Sequence, residues 1–154
     1  MLRSPRAGDA PAVWQLIGDA GTLERNTAYA YVLLCTHFAE TCVVAEQGDQ
    51  LVGVVCAYRP PGRDDTLFVW QVGVHPSMRG RGLGRRLLDA AVTRAGARFL
   101  EATVAPSNEA SRRLFGGFAR VRGATCEIRP GFAGELFAAG HEDEDLFHIG
   151  PLEN

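Results

Sequence analysis

Hydrophobic positions repeat with a period of two in several short runs of this chain, and that pattern predicts strands. The run "TLFVWQVGVH" is apolar on both alternating faces, which indicates a central strand. The runs "TCVVAEQ" and "LVGVVCAYR" are rich in β-branched residues and are separated by "GDQ", so they predict a hairpin. Further strands are expected close to the N-terminus, at "RFLEATV", at "ARVRGATCEIR" and, as an edge strand, at "LFHIG".

A second pattern, with apolar positions three and four residues apart, predicts helices between these strands. The first helix follows Asp9, a candidate N-cap, and the second follows Asn26 or Thr27. A third helical stripe runs from Gly82 to about Ala97. The chain therefore begins with one strand and two helices, and a helix follows the central strand.

A fourth helix is predicted in "SNEASRRLFGGFA", with Ser107 or Asn108 as its cap and its end near Gly116-Gly117. The resulting order is β-α-α-β-β-β-α-β-α-β-β. This order predicts a single α/β domain over residues 1–154, with a mixed central sheet and helices on both faces. No repeat or linker divides it.

Composition narrows the classes of partner. Hydrophobic residues make up 46% and charged residues 22% of the 154 positions, as in ordinary globular proteins. The net charge of -2 gives no general reason to bind nucleic acid or an anionic membrane. No apolar run is long enough to span a bilayer, and "MLRSPRAGDAP" lacks the apolar stretch of a signal peptide, so we expect a cytoplasmic protein.

Residue types that are missing exclude further chemistry. All 16 basic residues are arginine, so a Walker phosphate loop and a pyridoxal-phosphate Schiff base, which both need lysine, are excluded. The four cysteines form no C-x-x-C pair, and no histidine spacing completes a zinc pattern. We therefore expect free, buried thiols and no metal.

The stretch "QVGVHPSMRGRGLGRRLLDAA" joins the central strand to a helix through a turn rich in glycine and arginine. Glycines let backbone N–H groups approach an anion, and a helix N-terminus adds partial positive charge, so the turn predicts a pyrophosphate site. The glycine spacing does not fit the dinucleotide fingerprint. The alternative is a helix start whose glycines serve only close packing.

The run Arg79-Gly80-Arg81-Gly82-Leu83-Gly84 fits the pattern [RQ]-x-x-G-x-[GA], and "NEASRRLFGGFA" fits N-x-x-[AS]-x-x-L-[YF]-x-x-x-F. In both features the chain resembles the GNAT acetyltransferase superfamily, which uses acetyl-CoA. The resemblance implies that the amides of residues 79–84 hold the pyrophosphate and that a strand splayed from its neighbour pairs with the pantetheine arm. Asn108 would contact pantetheine, although it could also be a plain helix cap. The implied cofactor-binding residues are Val72, Gly73, Val74, Arg79, Gly80, Arg81, Gly82, Leu83, Gly84 and Asn108.

Longer segments resemble one group within that superfamily, the L-2,4-diaminobutyrate acetyltransferases of ectoine biosynthesis. The matching segments are "LERNTAYAYVLLCTHFAETCVVAE", "LFVWQVGVHPSMRGRGL", "LEATVAPSNEASRRLF" and "HEDEDLFHIGP". The resemblance implies acetylation of the 4-amino group of L-2,4-diaminobutyrate, an osmoadaptive role and a homodimer. Two rival functions stay open: the same chemistry on another small diamine or amino acid, and a non-catalytic acyl-CoA-binding sensor.

A substrate with two ammonium groups needs carboxylates and aromatic faces. Glu101 lies in the middle of an apolar strand, which is costly unless its charge is used, so we expect it to bind the amine and relay its proton. The other candidate substrate-binding residues are Glu24, Tyr29, Trp70 and His141. Each has a simpler alternative: exposed surface for the first two, core packing for tryptophan, and a solvated acidic segment for histidine.

Phe115 stands where many superfamily members have a tyrosine that protonates the leaving thiolate. The resemblance then implies direct attack of the free amine on the thioester, with a strand amide at Val72 or a neighbour polarising the carbonyl oxygen.

Overall fold

The computed structural model describes residues 1–21 and 23–153, and its strands form one seven-stranded mixed sheet of order β1-β2-β3-β4-β5-β7-β6. Among the strand pairs of these described residues, only β4–β5 is parallel. The strands are β1 (Leu2–Arg3), β2 (Val43–Gln47), β3 (Gln50–Tyr58), β4 (Thr66–Val74), β5 (Phe99–Val104), β6 (Cys126–Pro130) and β7 (Asp145–Ile149). The helices are α1 (Ala10–Ala20), α2 (Ala28–Thr36), α3 (Leu83–Ala95) and α4 (Glu109–Arg122).

Two apolar cores lie on opposite faces of the sheet, so the predicted arrangement of helices on both faces is confirmed. One core joins α3 and α4 to the sheet through residues such as Leu87, Leu100 and Phe118. The other joins α1 and α2 to β2 and β3, with Tyr31 fully buried at its centre. The predicted element order and the hairpin between β2 and β3 are also confirmed.

Two boundaries differ from the sequence prediction. The fourth helix does not end at Gly116-Gly117 but continues to Arg122, where Gly123 closes it with φ of 64°. Burial of Phe118 and Ala119 against the sheet stabilises this last turn, and that packing outweighs the weak helix propensity of the two glycines. The strand predicted at "ARVRGATCEIR" therefore begins only at Cys126.

The strand predicted at "LFHIG" exists, but the expectation that it lies at an edge was wrong. It is β7, and it pairs with β5 on one side and β6 on the other, both antiparallel. The edge strand on this side of the sheet is β6, which is mostly exposed. The segment between β6 and β7 thus leaves the sheet at its edge and re-enters it one strand further in, beside β5. Residues 131–144 therefore lie near the carboxyl end of β5, where Glu144 binds Thr103.

Side-chain hydrogen bonds show which of the predicted N-cap residues cap their helices. Thr27 caps α2, because its hydroxyl accepts a hydrogen bond from the amide of Ala30 at 3.3 Å. Asn108 caps α4 by accepting from the amide of Ser111 at 3.2 Å. Asp9 precedes α1, but its carboxylate binds Arg3 and the Arg6 amide instead of capping that helix.

All four cysteines are free thiols, as expected; Cys126 is half-buried and the other three are buried. Over residues 1–21 and 23–153, no helix is long and apolar enough to cross a membrane.

Candidate active site

A cavity of about 420 Å³ opens between β4 and β5. One wall is β4 from Phe68 to Val72, and the facing wall is the end of β5 and the loop after it, residues 102–105. The start of α4 and the segment between β6 and β7 close the remaining sides. All four elements converge at the carboxyl ends of the two parallel strands, where α/β folds commonly bind ligands.

The cavity exists because β4 and β5 separate. Their parallel ladder covers three residue pairs and ends at Phe68 with Glu101, although β4 continues to Val74 and β5 to Val104. The splay that the resemblance implied is therefore present. It leaves the β4 backbone from Val69 onward without ladder partners on the β5 side, so an extended ligand has room to pair with it.

The glycine-rich turn has the backbone conformation of an anion cradle. Gly80 and Gly82 have φ of 75° and 73°, a region that favours glycine, and α3 begins at Leu83. A Cβ at Gly80 would meet nothing within 4 Å, so the surface there is open to a ligand. Leu83 is buried in the core, which leaves its amide as the part available to an anion.

Gly84 and Arg79 also have packing roles in this turn. A Cβ on Gly84 would lie 3.2 Å from Leu114 of α4, so that glycine permits close helix contact. The Arg79 guanidinium donates to the carbonyl of Ala20 at the end of α1. The side chains of Arg81, Arg85 and Arg86 are exposed around the turn and give it positive charge.

Trp70 lies on the cavity wall because of a bulge in β4. Cys56 pairs with Gln71 and Ala57 with Val69, so Trp70 has no partner on β3. A bulge re-aims the side chain of its extra residue, and here the indole is 37% exposed and lines the cavity. Its ring stacks on Tyr31, with centroids 6.0 Å apart. The core-packing alternative for Trp70 is therefore not what the structure shows.

His141 and Glu144 contribute polar groups from the segment between β6 and β7. Both line the cavity, and Nε2 of His141 lies 3.6 Å from a carboxylate oxygen of Glu144. The imidazole stacks on Phe137 at 4.1 Å, and the hydroxyl of Thr103 donates to Glu144 at 2.7 Å. The sequence prediction included His141 and missed Glu144.

Each carboxylate of the acidic run that contains Glu144 has a hydrogen-bond partner, although Glu142 and Asp143 are exposed. Glu142 accepts from Ser107, and Asp143 accepts from the amide of Gly134. Asp145 accepts from Arg112, as Glu144 does from Thr103. Separate partners for neighbouring carboxylates indicate that the run has an ordered conformation. The partners lie 9 to 41 residues away along the chain, so the sequence pattern alone could not identify them.

Glu24, a predicted substrate-binding residue, and Asn108, a predicted pantetheine contact, both line the cavity. The carbonyl of Glu24 accepts from the side-chain amide of Gln71 at 2.8 Å, and the Glu24 residue is exposed. Asn108 combines its capping bond with a place on the cavity wall, so its two proposed roles are compatible. Phe115 also lines the cavity and supplies no hydroxyl there.

Glu101 and Tyr29 do not line the cavity, and their substrate-binding roles stay predictions. The Glu101 side chain is buried, and its two oxygens lie 2.9 Å from Nη1 of Arg63 and 2.8 Å from Nδ1 of His148. Its charge is therefore used by partners within the protein, next to the last β4–β5 pair. Tyr29 is 71% exposed on the first turn of α2. The tyrosine that contacts Trp70 is Tyr31.

Within the described residues, no group of three or more histidine, cysteine or acidic side chains is arranged to hold a metal ion. The cavity offers an unpaired strand, an indole face and the acidic residues Glu24 and Glu144, and the glycine-rich turn follows the same strand outside the cavity lining. This combination suits the transfer of a group carried on a long phosphorylated arm to a cationic acceptor.

Comparison with known proteins agrees with that assignment. The model of the acetyltransferase (GNAT) family matches residues 10–118, and the chain belongs to that family. The enzymes named L-2,4-diaminobutyric acid acetyltransferase from Shouchella clausii and Bordetella parapertussis are 43% and 48% identical to it, over 99% and 98% of this chain and 88% and 84% of theirs. Within the GNAT enzymes, the chain belongs to the L-2,4-diaminobutyric acid acetyltransferases.

A solved structure supports the same placement. The diaminobutyrate acetyltransferase EctA from Paenibacillus lautus, in complex with its substrate L-2,4-diaminobutyric acid and coenzyme A, is 43% identical to this chain. The TM-score is 0.92, and the match covers 100% of this chain and 96% of that one.

Proposed function

We propose that this protein transfers the acetyl group of acetyl-CoA to the 4-amino group of L-2,4-diaminobutyrate. The observation that carries the proposal is the cavity at the β4–β5 splay, which combines an open strand edge with Trp70 and the carboxylates Glu24 and Glu144. Two ammonium groups on a short chain need such partners when they leave water. The similarity to enzymes named for this substrate supports the choice of amine.

The coenzyme side of the site follows from the backbone. In this proposal the amides of residues 79–84 bind the pyrophosphate of acetyl-CoA, and Val72, Gly73 and Val74 pair with its pantetheine arm. Asn108 approaches the same arm. The open surface at Gly80 and the missing ladder partners of β4 fit these roles.

The acceptor amine must lose a proton before it attacks the thioester. With an ordinary amine pKa near 10.4, freeing it at pH 7 costs roughly 4–5 kcal/mol. We assign Glu144 to attract the ammonium and relay its proton, because its carboxylate lines the cavity and has His141 beside it. Glu24 and Trp70 hold the remainder of the substrate. An amide of β4, at Val72 or a neighbour, stabilises the oxyanion that forms during attack.

Three broader statements belong to the same proposal. The acetylated product is the precursor that another enzyme cyclises to ectoine, which gives an osmoadaptive role. The enzyme works as a homodimer, and the exposed Tyr29 and Leu136, both 71% exposed, are candidates for burial on assembly. It acts in the cytoplasm, where acetyl-CoA is made and thiols stay reduced.

The proposal is tested by measuring free coenzyme A after mixing the protein with acetyl-CoA and a panel of amines. We expect turnover with L-2,4-diaminobutyrate and an acetyl group on N4, identified by NMR. Faster turnover of ornithine or another diamine, with none of diaminobutyrate, would contradict the substrate. Binding of acetyl-CoA without turnover of any amine would identify a sensor instead.

A further inference from the structure

Trp70 and Glu24 form what we call the acceptor wall of the cavity. A buried hydrogen-bonded pair, Tyr31 and Gln71, holds these two residues together. The Tyr31 hydroxyl donates to Oε1 of Gln71 at 2.9 Å and accepts from the amide of Asn26 at 3.1 Å. The Gln71 side-chain amide donates to the carbonyl of Glu24 at 2.8 Å. The two side chains are 0% and 6% exposed, so these bonds form away from water.

The pair holds two residues that line the cavity, Trp70 and Glu24. Gln71 directly follows the bulged Trp70, and the Tyr31 ring lies against the indole at 22° between planes. The same two side chains bind the backbone at Glu24 and Asn26, the segment that leads into α2. One link thus fixes the indole and the Glu24 segment relative to each other.

Other contacts of the segment act in the same direction. The Arg25 guanidinium stacks over the Trp14 ring of α1 at 3.6 Å, on a surface where Gly18 leaves room for it. Arg25 therefore holds the segment from outside, while Tyr31 and Gln71 hold it from inside. Burial also raises the pKa of Tyr31, so its hydroxyl keeps the proton that it donates.

We propose that Tyr31 and Gln71 are positioning residues for the acceptor amine, which set the spacing between Trp70 and Glu24. Gln71 borders the cavity, but its side-chain oxygen and nitrogen are bonded to Tyr31 and to the Glu24 carbonyl. This inference rests on the proposed function of the cavity. A displaced Glu24 or indole weakens diaminobutyrate binding. The residues proposed to receive acetyl-CoA, which are the glycine-rich turn and Val72, Gly73 and Val74, take no part in the hydrogen bonds of the pair.

The test compares Tyr31→Phe and Gln71→Leu with the parent enzyme. Each change removes the link and keeps most of the packing volume. Each change also removes two hydrogen bonds, the one between Tyr31 and Gln71 and the bond from the altered side chain to Asn26 or Glu24. We expect KM for diaminobutyrate to rise about tenfold, with little change in kcat or in KM for acetyl-CoA. The rise in the double variant should be smaller than the product of the two single rises, because both changes remove the same Tyr31–Gln71 bond.

Thr41→Val is the matched control. Thr41 is buried near the same core, and its hydroxyl donates to the carbonyl of Ala57 at 2.6 Å, but it does not line the cavity. This variant should lose stability in a thermal melt and keep the parent KM for diaminobutyrate. An equal rise in that KM for Thr41→Val would show that general loosening of the core explains the effect.

Parental KM values in folded Tyr31→Phe and Gln71→Leu would overturn the inference. If Tyr31→Phe does not fold, Gln71→Leu, which retains the tyrosine ring, decides it alone. A parent enzyme that turns over no amine contradicts the proposed function. An active parent with unaltered variants contradicts only the positioning role.

Discussion

Replacing Glu101 with glutamine tests whether its buried carboxylate supports the fold or the chemistry. The side chain is 2% exposed, and its two oxygens face Arg63 and His148 at 2.9 and 2.8 Å. Glutamine has the same size but no charge, and its NH₂ group must replace one acceptor. One of the two neighbouring donors then loses its partner.

The expected loss can be estimated from these contacts. A hydrogen bond to a charged group contributes about 1.5–3 kcal/mol, but relieving the desolvation of the carboxylate offsets part of that. The half-exposed Arg63 also recovers water, so its share is small. We expect a net destabilisation of about 2 kcal/mol, which lowers Tm by roughly 4–8 °C in a chain of this size.

The assay pairs a thermal melt with a pH profile of kcat/KM, and Glu144→Gln is the comparison. Glu101→Gln should lower Tm and leave the shape of the pH profile unchanged. Glu144→Gln should nearly retain Tm, because its carboxylate is partly exposed, and should move the rise in kcat/KM to higher pH. A parental Tm with a displaced pH profile in Glu101→Gln would refute this reasoning and return the proton relay to Glu101.

Three further predictions follow from separate features. Gly82→Val should weaken acetyl-CoA binding at least about tenfold, measured by calorimetry. The control is Gly48→Val, because Gly48 has a similar positive φ in the β2–β3 turn, and this variant should destabilise the fold without changing the affinity for acetyl-CoA. Equal affinities of the two variants for acetyl-CoA would contradict the anion cradle. In native protein only the half-buried Cys126 should react quickly with a thiol reagent, because the other three thiols are buried. Burial also raises the pKa of Cys35 to about 11. Fast reaction of two or more thiols would contradict the packing. Hydrogen bonds from Arg3 hold the pKa of Asp9 below its usual 3.8, so their stabilisation of the fold is present above that pH and is lost as pH falls through the folded pKa. Asp9→Asn should therefore unfold at a lower urea concentration than the parent at pH 7, and the difference between the two midpoints should disappear in acid. A difference that does not depend on pH would be inconsistent with the ion pair.

The parts of the molecule that depend on local sequence were predictable. Strand alternation and helical stripes gave the order of all eleven elements, because each pattern is complete within a few residues. The glycine turn was recognised for the same reason. The end of α4 was not, since Gly116 and Gly117 weaken a helix locally while Phe118 and Ala119 restore it through contacts with the sheet.

The site was predicted in part, and the difference lies in long-range contacts. Trp70, Glu24, His141 and Asn108 do line the cavity, as their resemblance to a known family implied. The sequence analysis predicted that the charge of Glu101, in the middle of an apolar strand, must be paired. It could not show that the paired groups are Arg63 and His148, which lie 38 and 47 residues away. Tyr31 resembles an ordinary core residue until its hydroxyl is seen to reach Gln71.

The insertion of β7 between β5 and β6 has a consequence for how the protein is made. During synthesis β5 emerges with β4 along one side, but its other neighbour arrives only with Asp145–Ile149, about forty residues later. Until then a growing chain that has folded as far as α4 carries an open, mostly apolar β5 edge, the kind of edge that recruits other strands. A ribosome that stalls before Asp145 would leave a nascent chain with its glycine-rich turn complete and the β5 edge unpaired, and chaperones would have to cover that edge.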